Sequence, residues 1–181
     1  MRKSISIFCI TILMIFTYMM MGCRGQSDNE ELDKIEIGDS VYEIMSKDEL
    51  LYLWYCQVQV FLVDGYIHVV SSAGTAPGMV EKSVEFTLDR KWHNLQGMMP
   101  PVKITDPKSY LGRPRDEVLY ELGPVFGNFD SAIYTPGYVT DDAALVFFDC
   151  DTEPGKDELI IVGVTRQDLV TRQTEKCMLK R

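Results

Sequence analysis

Cys56-Gln57-Val58-Gln59-Val60-Phe61-Leu62-Val63-Asp64-Gly65-Tyr66-Ile67-His68-Val69-Val70-Ser71 reads as one antiparallel hairpin. Asp64-Gly65 is a two-residue turn in which both positions accept positive φ, and β-branched and aromatic residues fill the runs on either side. Such a turn sets the register, with Val63 opposite Tyr66, Phe61 opposite His68 and Val60 opposite Val69. Side chains alternate across a strand, so Val58, Val60, Leu62, Ile67 and Val69 share one face. Gln57, Gln59, Phe61, Val63, Tyr66, His68 and Val70 share the other, which is amphiphilic and reads either as an open binding face or as a face packed under helices.

Outward from the hairpin, residues 80–88 alternate with Val84, Phe86 and Leu88 inward. Upstream, Ser40 caps a short helix, and Ser46-Lys47-Asp48-Glu49-Leu50 repeats a capping pattern that prolongs it. Further on, Pro114 opens a second helix carrying Val118, Leu119 and Leu122 as a stripe, and Gly123-Pro124 stops it. Strands are expected over 132–140, 143–149 and 158–165. Ile37-Gly38-Asp39-Ser40-Val41-Tyr42-Glu43-Ile44-Met45 aligns with Leu111-Gly112-Arg113-Pro114-Arg115-Asp116-Glu117-Val118-Leu119. The expected fold is α+β, short helices packed on an antiparallel sheet, over residues 35–170. The pattern allows two tandem helix–three-strand halves, 35–90 and 108–170, with a polar tail over 171–181.

The chain has 181 residues, 46% hydrophobic and 25% charged, which is globular rather than disordered. Eighteen basic residues face 27 acidic ones for a net charge of −9. A nucleic-acid partner is not expected, because phosphate binding needs a basic surface. Only His68 and His93 supply imidazoles, and neither has a metal ligand at coordinating spacing.

Arg2 and Lys3 precede an uncharged run over residues 5–21, and Met20-Met21-Gly22-Cys23 closes it. This resembles the signal peptide and lipobox of bacterial lipoproteins, although Met20 stands where members usually carry Leu. The resemblance implies removal of residues 1–22, diacylation of Cys23 and residues 23–34 as a tether. An uncleaved signal anchor and a soluble secreted form are the alternatives; all three routes export the domain. Residues 111–124 resemble the opening helix of SmpA/OmlA-type and β-lactamase-inhibitor-protein-like modules. That resemblance implies an exported binding module without catalytic residues, and an envelope or extracellular protein as partner.

Phe148-Asp149-Cys150-Asp151-Thr152-Glu153-Pro154-Gly155-Lys156-Asp157 resembles an acidic calcium loop, with Asp149, Asp151, Glu153 and Asp157 at alternating oxygen positions. Pro154 stands where the turn glycine belongs, and Ile160 where the closing Glu belongs, so a solvated hairpin loop competes with a calcium site. No Gly-x-Ser-x-Gly elbow or phosphate loop is present, and no residue earns a catalytic role. Of the cysteines downstream of Cys23, Cys56 and Cys150 sit at strand ends and can pair, or be two small buried hydrophobes. Phe61, Tyr66, His68, Trp92, Met98 and Met99 are the candidate protein-binding residues, aromatic and Met side chains being rich in such surfaces.

Overall fold

The computed structural model describes residues 35–180, apart from 48, 55–56, 73–77, 97–98, 129–134 and 153–154. The signal, Cys23, the tether, Cys56, Met98 and Glu153 lie outside the described residues.

The chain is mostly β, which overturns the expected helix-packed α+β fold. Helix α1 (Val41–Lys47) leads into strands β1 (Glu49–Trp54), β2 (Val58–Val63), β3 (Tyr66–Ser72), β4 (Val80–Thr87) and β5 (Trp92–Gln96). After a 3-10 turn (Pro107–Tyr110) and helix α2 (Arg115–Leu122) come β6 (Gly127–Asn128), β7 (Pro136–Val139), β8 (Ala144–Thr152), β9 (Leu159–Asp168) and β10 (Thr174–Met178). Each run of strands is a five-stranded antiparallel meander in chain order. Helices of seven and eight residues are too short to form a layer of their own beside ten strands.

The Asp64-Gly65 turn has φ of 49° and 82°, and it pairs Val63 with Tyr66, Phe61 with His68 and Val60 with Val69. The face with Val58, Val60, Ile67 and Val69 joins Val84 and Phe86 against Phe126, Val139, Leu145, Phe147 and Leu169 of the second half. The two sheets therefore pack face to face around one shared core. That is the arrangement alternating apolar strands need to bury one side each. Gly127 marks how closely they approach: a β-carbon there would lie 2.6 Å from Val58 Cγ2. Lys82 crosses the gap, its Nζ donating to Val125 O at 3.0 Å.

Both outer faces are covered as well. Ile35, Val41 and Ile44 pack on Phe61, Val70 and Val80, so α1 lies on the first sheet. Ile104, Tyr110 and Val118 pack on Tyr138, Val146, Phe148, Ile161 and Val164 of the second. Gly123, at φ 82°, ends α2, and its N–H donates to Leu119 O at 2.9 Å. Among the described residues, no helix is long and apolar enough to cross a membrane.

Three local expectations are corrected. The second capping pattern does not prolong α1; the apolar run Leu50-Leu51-Tyr52-Leu53-Trp54 pairs with β2 instead. Leu88 is not inward: β4 ends at Thr87, so Leu88 leaves the pleat and stands 53% exposed. The polar tail contains β10, which pairs with β9 from Thr174↔Gln167 to Met178↔Gly163. Its polarity is what an edge strand needs to discourage pairing with another chain.

Candidate functional site

A candidate site at the surface is an aromatic corner at the turn end of the first sheet. Tyr66 follows the Asp64-Gly65 turn and pairs with Thr87, the last residue of β4. The β4–β5 turn closes with Thr87 N donating to Lys91 O at 2.8 Å and Arg90 N to Thr87 O at 2.9 Å. Arg90 takes φ 70° within it. Asp89 accepts from Thr87 Oγ1 and pairs with Lys91 Nζ at 2.8 Å. The chain then enters β5 with Trp92 and His93. The Tyr66 and His93 rings meet edge to face at 5.3 Å between centroids. Tyr66, Leu88 and Trp92 are 37%, 53% and 47% exposed, and His93 is exposed beside them.

An ionic clasp holds this corner to the second sheet. Arg90 Nη1 reaches Asp168 Oδ2 at 2.7 Å and donates to Asp142 O at 3.0 Å. Arg166 Nη2 meets Asp142 Oδ2 at 2.6 Å, and Arg166 Nη1 lies 3.9 Å from Asp168 Oδ2. Asp168 Oδ1 also accepts from Val170 N and Thr171 N, at 3.0 and 2.8 Å. Burial alone would raise the Asp168 carboxyl; the Arg90 guanidinium and the Thr171 N–H outweigh it and hold it down at about 2. A turn fixed this way presents its aromatic rings in one geometry, which lowers the ordering cost of binding.

Of the candidate binding residues, Tyr66 and Trp92 both lie at this end of the sheet but on opposite faces, Tyr66 opposite Thr87 and Trp92 opposite the inward-facing Phe86. Phe61 and His68 are not part of it: they are buried, because the second face of the first sheet is covered rather than open, and Met99, beyond β5, is buried as well. His68 Nδ1 lies 3.7 Å from Glu85 Oε1, both side chains inaccessible. Ser83 shares that face, yet its hydroxyl is buried without a hydrogen-bond partner among the described residues. A nucleophile and base are therefore not coupled there. Leu88 and His93 are the corner residues that sequence reasoning missed; the only signal was their place beside a turn.

Among the described residues of the acidic segment, Asp149, Asp151 and Asp157 do not converge on one point. Asp149 and Asp151 lie on β8, which runs on to Thr152. Asp149 Oδ2 pairs with Lys176 Nζ at 3.3 Å and sits above Gly163, where a β-carbon would approach it to 2.6 Å. Asp151 Oδ1 accepts from Thr152 N at 2.8 Å. Asp157 instead borders an open hollow of about 330 Å³ with Arg115, Asp116, Glu158 and Leu159. Among the described residues, no three His, Cys, Asp or Glu side chains converge to hold a metal ion.

Cys150, the expected partner of Cys56, is a free thiol. It packs under α2 with Phe148 and Ile161, and burial pushes its pKa up to about 11. A protonated, enclosed thiol is a poor nucleophile. In the native protein Cys150 should resist a thiol-modifying reagent, become labelled only on denaturation, and yield no Cys56–Cys150 cross-linked peptide by mass mapping. Rapid native labelling, or the cross-linked peptide, would contradict this packing. Cys177, half-buried on β10, should react first of the two.

No protein-family model, curated protein or solved structure matches the chain significantly.

Proposed function

We propose that the chain is an exported lipoprotein, anchored through Cys23, whose folded unit is a non-catalytic module binding an envelope or extracellular protein. The observation that carries the binding reading is the turn end of the first sheet, with Tyr66 and His93 in contact on one face, Trp92 on the other and Leu88 on the turn between them. It is exposed, aromatic, and pinned by the Arg90–Asp168 pair at 2.7 Å. Rigid aromatic side chains on a fixed turn are the material of interface hot spots. The anchor reading rests on Arg2, Lys3, the uncharged run after them and Gly22-Cys23. Two acyl chains supply stable attachment where one is marginal. Removing residues 1–22 leaves the mature chain two positive charges poorer than the full-length −9. An anionic bilayer would repel such a domain, so the lipid and not the protein surface makes the membrane contact.

The two halves of the reading are tested separately. Cys23→Ser should move the protein out of the membrane fraction and abolish palmitate incorporation; retention with undiminished labelling would refute the anchor. For the module, a protein purified stoichiometrically with the full chain from membranes is titrated against the parent and Trp92→Glu. Weakening of about tenfold or more is expected, with Tyr120→Glu as a distant exposed control. Equal affinity of parent and Trp92→Glu would remove the corner from the interface.

A further inference from the structure

A second apolar surface lies at the opposite end of β4. Gly38 N donates to Val80 O and Val80 N to Asp39 O, both at 2.8 Å, while Val41 N donates to Gly78 O at 3.1 Å. These bonds and the Ser40↔Met79 bridge bring Met79 beside the segment that enters α1. Beneath it, Ile35, Val41, Ile44 and Val80 are buried in the core under α1, so its base is firm. Above that base Ile37, Tyr42 and Met79 stand 48%, 63% and 60% exposed. Three large hydrophobes on one short, doubly bonded corner are more than the scattered exposure a surface ordinarily carries.

Among the described residues, the exposed charges around this surface have one sign. Glu36, Glu43 and Glu81 are exposed, and Asp39 is half-exposed with Oδ2 accepting from Glu36 N at 2.6 Å. Lys82 is turned away into the sandwich, its Nζ on Val125 O, and Lys47 sits at the far end of α1. An apolar centre rimmed by carboxylates repels anionic headgroups, and it pays to desolvate only against a surface carrying the opposite charge. We propose that Ile37, Tyr42 and Met79 dock a basic segment of a partner protein, apolar at its centre, whose Lys or Arg side chains meet Glu36, Glu43 and Glu81. This site is separate from the aromatic corner and does not depend on it.

The test uses the full chain in phosphatidylcholine nanodiscs, with empty nanodiscs as blank, and two fluorescent peptides of identical leucine pattern carrying Lys or Glu between the leucines. The Lys peptide should bind above blank at low salt and weaken as salt is raised. Tyr42→Ser with Met79→Ser, and separately Glu43→Lys with Glu81→Lys, should each weaken it by about tenfold or more. All four positions are exposed, and unchanged melting curves show that the variants fold. Tyr120→Ser, on α2, should leave Lys-peptide binding unchanged. Three results would overturn the proposal: no binding above blank, either double variant within about twofold of the parent, or a Glu peptide bound equally well. Binding lost in Trp92→Ser but kept by both double variants would also overturn it, while leaving the aromatic corner as a binding site.

Discussion

Asp168→Ala should destabilise the folded chain by about 3 kcal/mol and flatten the acid limb of its stability profile. The carboxylate accepts from Val170 N and Thr171 N and meets Arg90 Nη1 at 2.7 Å, with a side chain only 12% exposed. Removing it strands two backbone donors and a half-exposed guanidinium at the junction of the two sheets. The sign of the pH effect follows from the direction of the shift. The folded-state pKa of about 2 lies below the ordinary carboxylate value, so this stabilisation is complete above about pH 4. It drains away as pH falls from there through about 2. Asp89 also titrates near 2, held down by Lys91 and Thr87, but it is exposed and present in both proteins. The difference between parent and variant therefore isolates Asp168. Asp168→Asn keeps the Oδ1 that accepts both N–H groups, loses the ion pair made through Oδ2, and should fall between them at about 1–2 kcal/mol. Urea titrations from pH 7 to pH 2 would measure all three. An Ala variant within about 0.5 kcal/mol of the parent at neutral pH would mean that the clasp contributes little.

The elements with strong local chemistry were legible in the chain. Asp64-Gly65 imposes a turn whatever lies around it, and the pairing of β2 with β3 follows residue by residue. Pro114 and Gly123 bracket α2 for the same reason. The elements that escaped take their identity from a neighbour. Glu49–Trp54 follows a capping pattern that favours helix locally, and only pairing with β2 makes it a strand. Thr174–Met178 is polar because it is an edge, so its period-2 signal is faint. Faces were harder than strands. Gln59 and His68 make the second face of the hairpin look half-solvated, whereas Ile35 and α1 cover much of it, and Phe61 with it. At the site, Tyr66 and Trp92 were visible as aromatics. Arg90, Asp142, Arg166 and Asp168 come from three separate segments, and no local pattern announces a contact made between two sheets.

The same buried face sets up the last expected result. Gln59→Leu should stabilise the chain by about 2 kcal/mol, against the usual direction of core substitutions. Gln59 is fully buried, and neither its Nε2 nor its Oε1 has a hydrogen-bond partner among the described residues. Its cross-strand partner is Val70, and Phe61 follows it on the same face. An amide enclosed in such surroundings loses its water without recovering the bonds, at about 1–3 kcal/mol. Leucine has a similar volume and no polar atoms, so the penalty is removed without opening a cavity. Ser83, beyond Val70 in the same cross-strand row, is likewise buried and without a partner, and Ser83→Ala should add about 1 kcal/mol. The two positions sit two strands apart, roughly 10 Å, so their effects should sum to within about 0.5 kcal/mol. Chemical denaturation at unchanged m-value gives both increments and the cycle. If Gln59→Leu instead destabilises by about 1 kcal/mol or more, the amide is hydrogen-bonded in solution, and water or a ligand must reach the face between α1 and the first sheet.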